Sequence, residues 1–274
     1  MFTQFWLVNN KISLAAVSHR NDLDRKSVCG VVLIAGFSQP MCDVDYFMSK
    51  LARQLSNLGI FVLQVDPRGH GDSEGNLENV NLYTLREDLS IAVNFVAEQV
   101  GDKVFCIGRG LSATLFAEIS SLAPIRGVVG ISPYCIEPSI VSEIWANIKP
   151  GIFDVNDIMP GTDYKSFSNF DIGKIAFCNA IGALPYNLHG QVMSTEILFN
   201  LFEYKPLEVL KKCKDKSLWL LSEGKDNNRI VHWHLENEKL YPNLNNYVKN
   251  AIIRDPLWQY DIIERICNWI KKYK

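Results

Sequence analysis

Residues 104–112 have the composition of a tight turn that joins a buried strand to a helix. The apolar run 104–107 predicts a strand, and the spacing over 111–122 predicts a helix, with Gly108 and Gly110 between them. Backbone amides at the start of a helix favour an anionic group or a polarised carbonyl oxygen. Gly110 has no side-chain atom that can attack a carbonyl. Arg109 could bind an anionic ligand or form a surface ion pair, and the sequence favours neither.

Histidines that could act as general acid or base are spread along the chain. For each of them a solvated or core position is the more common role. Two are kept as tentative catalytic candidates, because His189 lies in an aromatic-rich segment and His232 follows Asp226 closely. His70 is expected to have a structural hydrogen-bonding role, and His19 is expected at a surface edge. The five histidines are His19, His70, His189, His232 and His234.

Strand and helix patterns alternate along most of the chain, which predicts a largely parallel sheet covered on both faces. Residues 5–17 read as an antiparallel hairpin around Asn9-Asn10 at the sheet edge. Strands are predicted at 31–35, 60–65, 104–107, 127–131, 218–221 and 251–253. Helices are predicted at 44–58, which Gly59 ends, and at 82–100, 111–122, 233–240 and 259–271.

The alternation stops between residues 132 and 204. This segment shows no clear strand and is rich in aromatic residues, glycine and proline. A long insertion over such a sheet is usually a lid or cap. We therefore predict a core of residues 1–131 and 205–274 and a helical cap of residues 132–204.

Composition excludes several classes of protein. The net charge of −2 over 274 residues does not suggest nucleic acid or an anionic membrane as a partner. The seven cysteines form no CxxC pair, which argues against a disulfide framework and a zinc site. No run of residues resembles a signal peptide or a membrane span, so a reducing cytoplasm is the simplest compartment. We expect no cofactor and no metal.

Two loops carry a family resemblance. Asp66-Pro67-Arg68-Gly69-His70-Gly71-Asp72-Ser73 resembles the D-x-R-G-x-G-x-S loop after the fourth strand of α/β-hydrolases. Gly36-Phe37-Ser38-Gln39 resembles the loop in which those enzymes place one oxyanion-hole amide. The resemblance is nearest to serine-aminopeptidase-like and exosortase-associated hydrolases. It implies a doubly wound, mostly parallel eight-stranded α/β-hydrolase sheet with a helical cap, in which Phe37, Ser38, Leu111 and Arg109 line an oxyanion or ligand site.

The same resemblance gives Gly110 the position of the nucleophilic serine in G-x-S-x-G. Ser112 is interpreted as the small residue that ends this motif rather than as a shifted nucleophile. Cys106 lies in a strand and is interpreted as a core residue. A displaced nucleophile at Ser112, Cys106 or Cys135 is the least favoured alternative.

The resemblance also places the other two members of a catalytic triad. Asp226 fits the acid position after the seventh strand, although it could be a loop aspartate that stabilises a turn. Pro256 stands where the histidine follows the last strand. The predicted triad has therefore lost two members. We expect the chain either to bind a small acyl, peptidyl or polyketide-like molecule and act by non-covalent acid-base chemistry, or to be a binding or scaffold protein without chemistry.

Overall fold

The computed structural model describes most of the chain. The described residues are 1–9, 12–20, 27–136, 141, 142, 146, 148–154, 172–183, 191–213, 217–222, 247–249 and 256–274. Within them no helix is long and apolar enough to cross a membrane.

The centre of the molecule is an eight-stranded sheet with the order β1-β2-β4-β3-β5-β6-β9-β10. β1 and β2 form the antiparallel hairpin predicted at the edge, and β2 pairs antiparallel with β4. The remaining neighbours in the sheet are parallel. The strands are β1 Phe2–Asn9, β2 Ile12–His19, β3 Gly30–Ile34, β4 Phe61–Val65, β5 Val104–Arg109, β6 Ile125–Ile131, β9 Ser217–Ser222 and β10 Tyr247–Lys249.

Helices cover both faces of the sheet. They are α1 Phe47–Asn57, α2 Leu82–Val100, α3 Leu111–Ile119, α4 Ile172–Ile181, α5 Thr195–Glu203, α6 Pro206–Lys212 and α7 Pro256–Tyr273. One apolar layer contains α2, α3 and α4, and the opposite layer contains α1 and α7. Because β3 to β6 are covered on both sides, they are mostly apolar without alternation, as the sequence predicted, and the polar exceptions are Gln64, Arg109 and Arg126.

Local signals place the helix ends. Gly59 follows α1 with a φ of 77°, the left-handed conformation in which glycine is unstrained. Asn81 and Thr84 form a capping box at the start of α2. The terminal helix α7 buries Ile262, Ile266 and Ile270, the face its periodicity predicted.

The prediction that residues 132–204 contain no strand is wrong. Two short antiparallel strands, β7 Ile152–Asp154 and β8 Val192–Ser194, pair with each other outside the main sheet. Strands of three residues are too short to show a period of two in the sequence. The predicted helix 233–240 and strand 251–253 lie outside the described residues.

Candidate functional site

The turn between β5 and α3 has the strand-turn-helix geometry expected at Gly110. Gly110 has φ 61° and ψ −125°, and α3 begins at the next residue, Leu111. Both backbone groups of Gly110 are hydrogen-bonded. Its N–H donates to the Ile131 carbonyl at 3.0 Å, and its carbonyl accepts from the Tyr134 N–H at 2.9 Å. A side chain here would be strained by the positive φ, and glycine removes that strain.

The loop after β3 lies beside this turn. The Phe37 N–H, which the resemblance assigns to the oxyanion hole, donates to the Ile181 carbonyl at 3.1 Å. Ser38 follows with a φ of 59°. The Phe37 N–H is therefore already hydrogen-bonded to a carbonyl oxygen at the end of α4.

Three glycine backbones meet at the same point, and we call Gly36, Gly110 and Gly182 the glycine junction. A Cβ atom on Gly110 would lie 2.5 Å from the Ile181 carbonyl carbon and closer still to the Gly182 backbone. A Cβ atom on Gly182 would lie 2.8 Å from the Gly36 Cα. Real Cβ atoms essentially never approach backbone this closely. The space a side chain at position 110 would need is thus filled by backbone of residues 181–182.

The C-terminal end of α4 has a backbone conformation that brings Gly182 against the Gly110 turn. Gly182 has φ 86° and donates its N–H to the Asn179 carbonyl at 3.1 Å, and the Ala183 N–H donates to the Cys178 carbonyl at 2.9 Å. This pair of bonds is a Schellman motif with glycine at its left-handed position. The carbonyl end of α4 faces the N-terminus of α3, so helix ends of opposite partial charge meet.

Arg109 forms an ion pair that is buried rather than at the surface. Its guanidinium binds the Asp43 carboxylate through two hydrogen bonds, Nε to Oδ2 at 2.7 Å and Nη2 to Oδ1 at 2.5 Å. Asp43 Oδ1 also accepts the Val44 N–H at 2.8 Å. This fork connects the loop after β3 to the end of β5. The charge of Arg109 is therefore compensated within the protein.

The three candidate nucleophiles are held away from solvent. Ser112 donates its hydroxyl to the Ala35 carbonyl at 3.0 Å and is buried. Burial raises the pKa of the Cys106 and Cys135 thiols well above their usual value, so neither readily forms a thiolate.

The loop after β4 packs against the loop that carries Phe37. His70 is buried, its Nδ1 lies 2.9 Å from the Arg68 carbonyl, and its ring stands edge-on to Phe37 at 5.0 Å between centroids. This is the structural role that was expected. Burial lowers the pKa of His70 to about 4. Burial raises the pKa of Asp66 to about 7, although its Oδ2 accepts the Asp72 N–H at 3.1 Å.

Known proteins agree with this architecture. A family model described as serine aminopeptidase, S33, matches residues 29–154. The ferulic-acid complex of Est1E from Butyrivibrio proteoclasticus superposes with a TM-score of 0.73 at 14% identity, covering 98% of both chains. The α/β hydrolase GrgF from Penicillium sp. sh18 gives 0.70 at 13%, covering 100% and 99%. The thioesterase domain from the curacin biosynthetic pathway gives 0.61 at 13%, covering 99% of both. No curated protein sequence matches the chain significantly.

The chain has the fold of the α/β-hydrolase superfamily. The serine-aminopeptidase match spans the two loops that suggested the resemblance, residues 36–39 and 66–73, and also the Gly110 turn. The mostly parallel eight-stranded sheet flanked by helices follows the same architecture.

The structure describes only some of the remaining predicted site residues. Pro256 is the first residue of α7 and is exposed. Asp226, His232 and His189 lie outside the described residues, so their roles stay predictions. The expectation for His19 is wrong, because its side chain is buried against Gln64 at 2.8 Å. Its strand β2 lies between β1 and β4 in the sheet and is therefore not the edge strand.

Three residues at the site were not found from the sequence. Asp43 has no signal in the sequence beyond its place before the helix predicted at 44–58. Ile181 and Gly182 did carry a signal, because a glycine after an apolar run commonly ends a helix. That signal gives the end of a helix but not what the helix end contacts.

Proposed function

We propose that this chain is a catalytically inactive protein of the α/β-hydrolase fold that acts by binding rather than by hydrolysis. The observation that carries the proposal is the hydrogen bond from the Phe37 N–H to the Ile181 carbonyl, together with the glycine junction beneath it. In an active member of the superfamily, the nucleophile and the acyl oxygen of the substrate take these two places.

Three further observations support the loss of hydrolysis. Gly110 supplies no nucleophile, and Pro256 supplies no base at the position that the resemblance gives to the triad histidine. The Ser112 hydroxyl is engaged with the Ala35 carbonyl. Arg109, the cation nearest to the turn in sequence, is neutralised by Asp43. With the nucleophile and a free oxyanion amide both absent, covalent attack on an acyl group and stabilisation of the resulting oxyanion are both lost.

The test of inactivity is labelling by a fluorophosphonate probe, combined with hydrolysis assays on esters, thioesters and aminoacyl amides. We expect no labelling and no turnover above buffer, with an active serine hydrolase treated in parallel as the positive control. Stoichiometric labelling at any residue would overturn the proposal. Loss of that labelling in Ser112→Ala, Cys106→Ala or Cys135→Ala would then identify a displaced nucleophile.

A second candidate function is non-covalent chemistry on a small acyl, peptidyl or polyketide-like molecule, with Asp226, His232 or His189 as acid or base. What favours it is that the Phe37 and Leu111 amides are retained at the turn, so a ligand carboxylate or enolate could replace the Ile181 carbonyl. Titration with ferulate and with short-chain acyl carboxylates separates the two functions. A ligand that shifts the Phe37 amide resonance would support this candidate, whereas an unchanged resonance supports a closed site. For either function we expect a cytoplasmic protein without a nucleic-acid or membrane partner.

A further inference from the structure

Strand β1 forms one edge of the main sheet, and its own sequence has none of the residues that usually prevent strand association. β1 is the end strand of the sheet and runs for eight residues in unbroken register with β2. Its sequence, FTQFWLVN, contains no charged residue, no proline and no glycine. Proteins commonly protect an edge strand with charges, proline or a bulge. Among the described residues no strand pairs with this edge.

The hydrogen-bond pattern defines which residues face the open edge. Met1 and Arg20 exchange both backbone hydrogen bonds, at 2.9 and 3.0 Å. In an antiparallel pair, hydrogen-bonded and non-hydrogen-bonded residues alternate. The odd-numbered residues of β1 therefore bond to β2. The even-numbered residues direct their N–H and carbonyl groups outward, and these are Phe2, Gln4, Trp6 and Val8.

The same four residues present an exposed and mostly apolar face. Phe2 is 69% exposed, Trp6 55% and Val8 66%. A large apolar side chain that is exposed by itself is ordinary, but three along one strand form a patch. The outward backbone groups therefore fit a partner that is itself an extended strand, and the apolar side chains would then contact the side chains of that strand on the same face of the sheet.

We propose that β1 pairs antiparallel with β1 of a second copy of this chain. A two-fold axis perpendicular to the sheet keeps residues of equal parity opposite each other. With the axis at Phe5, Phe2 lies opposite Val8 of the second copy and Gln4 lies opposite its Trp6. Every outward N–H and carbonyl of both strands then has a partner, giving about eight backbone hydrogen bonds.

Area and charge favour a second copy as the occupant. Two edges about 27 Å long and about 10 Å thick cover roughly 500 Å², and cross-strand contacts of the exposed Phe2 and Trp6 side chains of each copy add to this area. The total lies at the small end of protein interfaces, where association is weak, so the dimer is expected at high protein concentration. No charged side chain lies on Phe2–Asn9, so self-pairing brings no like charges together. Phe5 of each copy lies at the axis, beside Phe95 at 5.3 Å between ring centroids.

Sedimentation equilibrium of the full chain, at concentrations up to about 0.1 mM, tests the proposal. We expect twice the mass of one chain. Gln4→Pro removes one outward N–H without touching the β1–β2 ladder and should give a monomer with unchanged circular dichroism. Gln4→Ala keeps that N–H and should remain a dimer. A monomeric wild type, or a Gln4→Pro dimer, would overturn the proposal.

A cysteine variant tests the register even if Gln4→Pro misfolds. Phe5→Cys places two sulfurs across the axis, where opposed Cα atoms are about 4.5 Å apart and a disulfide can form. Thr3→Cys is the matched control, because its copies lie too far apart to join. Non-reducing electrophoresis should show a cross-linked dimer for Phe5→Cys and none for Thr3→Cys. Equal cross-linking of both variants would contradict this register.

Discussion

At Gly110 the missing side chain has a structural consequence as well as a chemical one. The residue supplies no nucleophile, and its bare Cα lets the backbone of Gly182 come into direct contact. A serine at this position would need both a strained φ and the space that Ile181 and Gly182 occupy. The glycine is therefore required by the packing of α4 in this structure.

Substitution of Gly110 tests this packing. We expect Gly110→Ala to lower the free energy of unfolding by at least about 3 kcal/mol, because backbone strain and overpacking add. Gly59→Ala is the matched control, since Gly59 also has a positive φ but no atom within 4 Å of its would-be Cβ. It should cost only about 1 kcal/mol. Urea denaturation measures the free energy of unfolding of both variants. Equal losses in the two variants would show that the glycine junction is not close-packed.

Gly110→Ser tests the chemistry at the same residue. We expect this variant to gain no activity, because the resemblance places no general base after the last strand. Its ester turnover should equal that of the wild type. Turnover well above wild type would mean that a general base reaches the turn, which would contradict the assignment of Pro256 to the histidine position.

The stability of the chain should depend on pH through Asp66. Its pKa is raised by burial from 3.8 to about 7, so the folded state holds a proton that the unfolded state releases. The stability from this group is present below pH 4 and is lost as pH rises through 7. His70 acts in the opposite sense, because burial lowers its pKa from 6.5 to about 4 and its contribution is lost as pH falls through 4. The two effects oppose each other between pH 4 and 6.5.

The Asp66→Asn variant separates the pH dependence of stability that comes from Asp66 from that of His70. We expect the stability of this variant, relative to wild type, to rise between pH 4 and 7 by at most about 1.4 kcal/mol per pH unit, the limit for one proton. Above pH 7 the difference should be constant. Thermal unfolding at unit steps of pH gives the two curves, and parallel curves would show that Asp66 is ionised in the folded protein at acid pH.

At the scale of elements, the fork between Arg109 and Asp43 joins β5 to the loop that carries Phe37. Removing one partner leaves a buried charge, so Arg109→Met should cost about 3–5 kcal/mol. Asp43→Asn keeps an oxygen for the Val44 N–H and removes the other charge. The double variant should therefore lose less than the sum of the two single losses. Additive losses in this double-mutant cycle would mean that the pair is not coupled.

The sequence predicted elements better than it predicted contacts between them. The bounds of α2 were correct to the residue and Gly59 was placed correctly, because spacing and stop signals are local. His19 was misplaced because its burial depends on β1 covering β2, which is a property of strand order. The Asp43 partner of Arg109 lies 66 residues away, and no local pattern contains it.

At the scale of the whole molecule, the end of α4 belongs to the same apolar layer as the sheet. Phe177, Cys178 and Ile181 are each about 1% exposed and pack in the layer that contains Val32 and Leu115. A gate that opens during function usually has few buried contacts. The contact between α4 and Phe37 therefore has the packing of a permanent part of the fold.

Native-state hydrogen exchange distinguishes a permanent contact from a gate. Ile266 lies in the opposite apolar layer, on α7, so Ile266→Ala weakens the whole fold without touching the site. A loss of about 3 kcal/mol should speed exchange through global unfolding about 10²-fold. We expect the Phe37 amide and the Val32 amide in β3 to accelerate by the same factor, because the Phe37–Ile181 hydrogen bond should break only when the layer unfolds. If Val32 accelerates while Phe37 does not, the end of α4 opens locally, and the Phe37 N–H is available to a ligand in the folded protein.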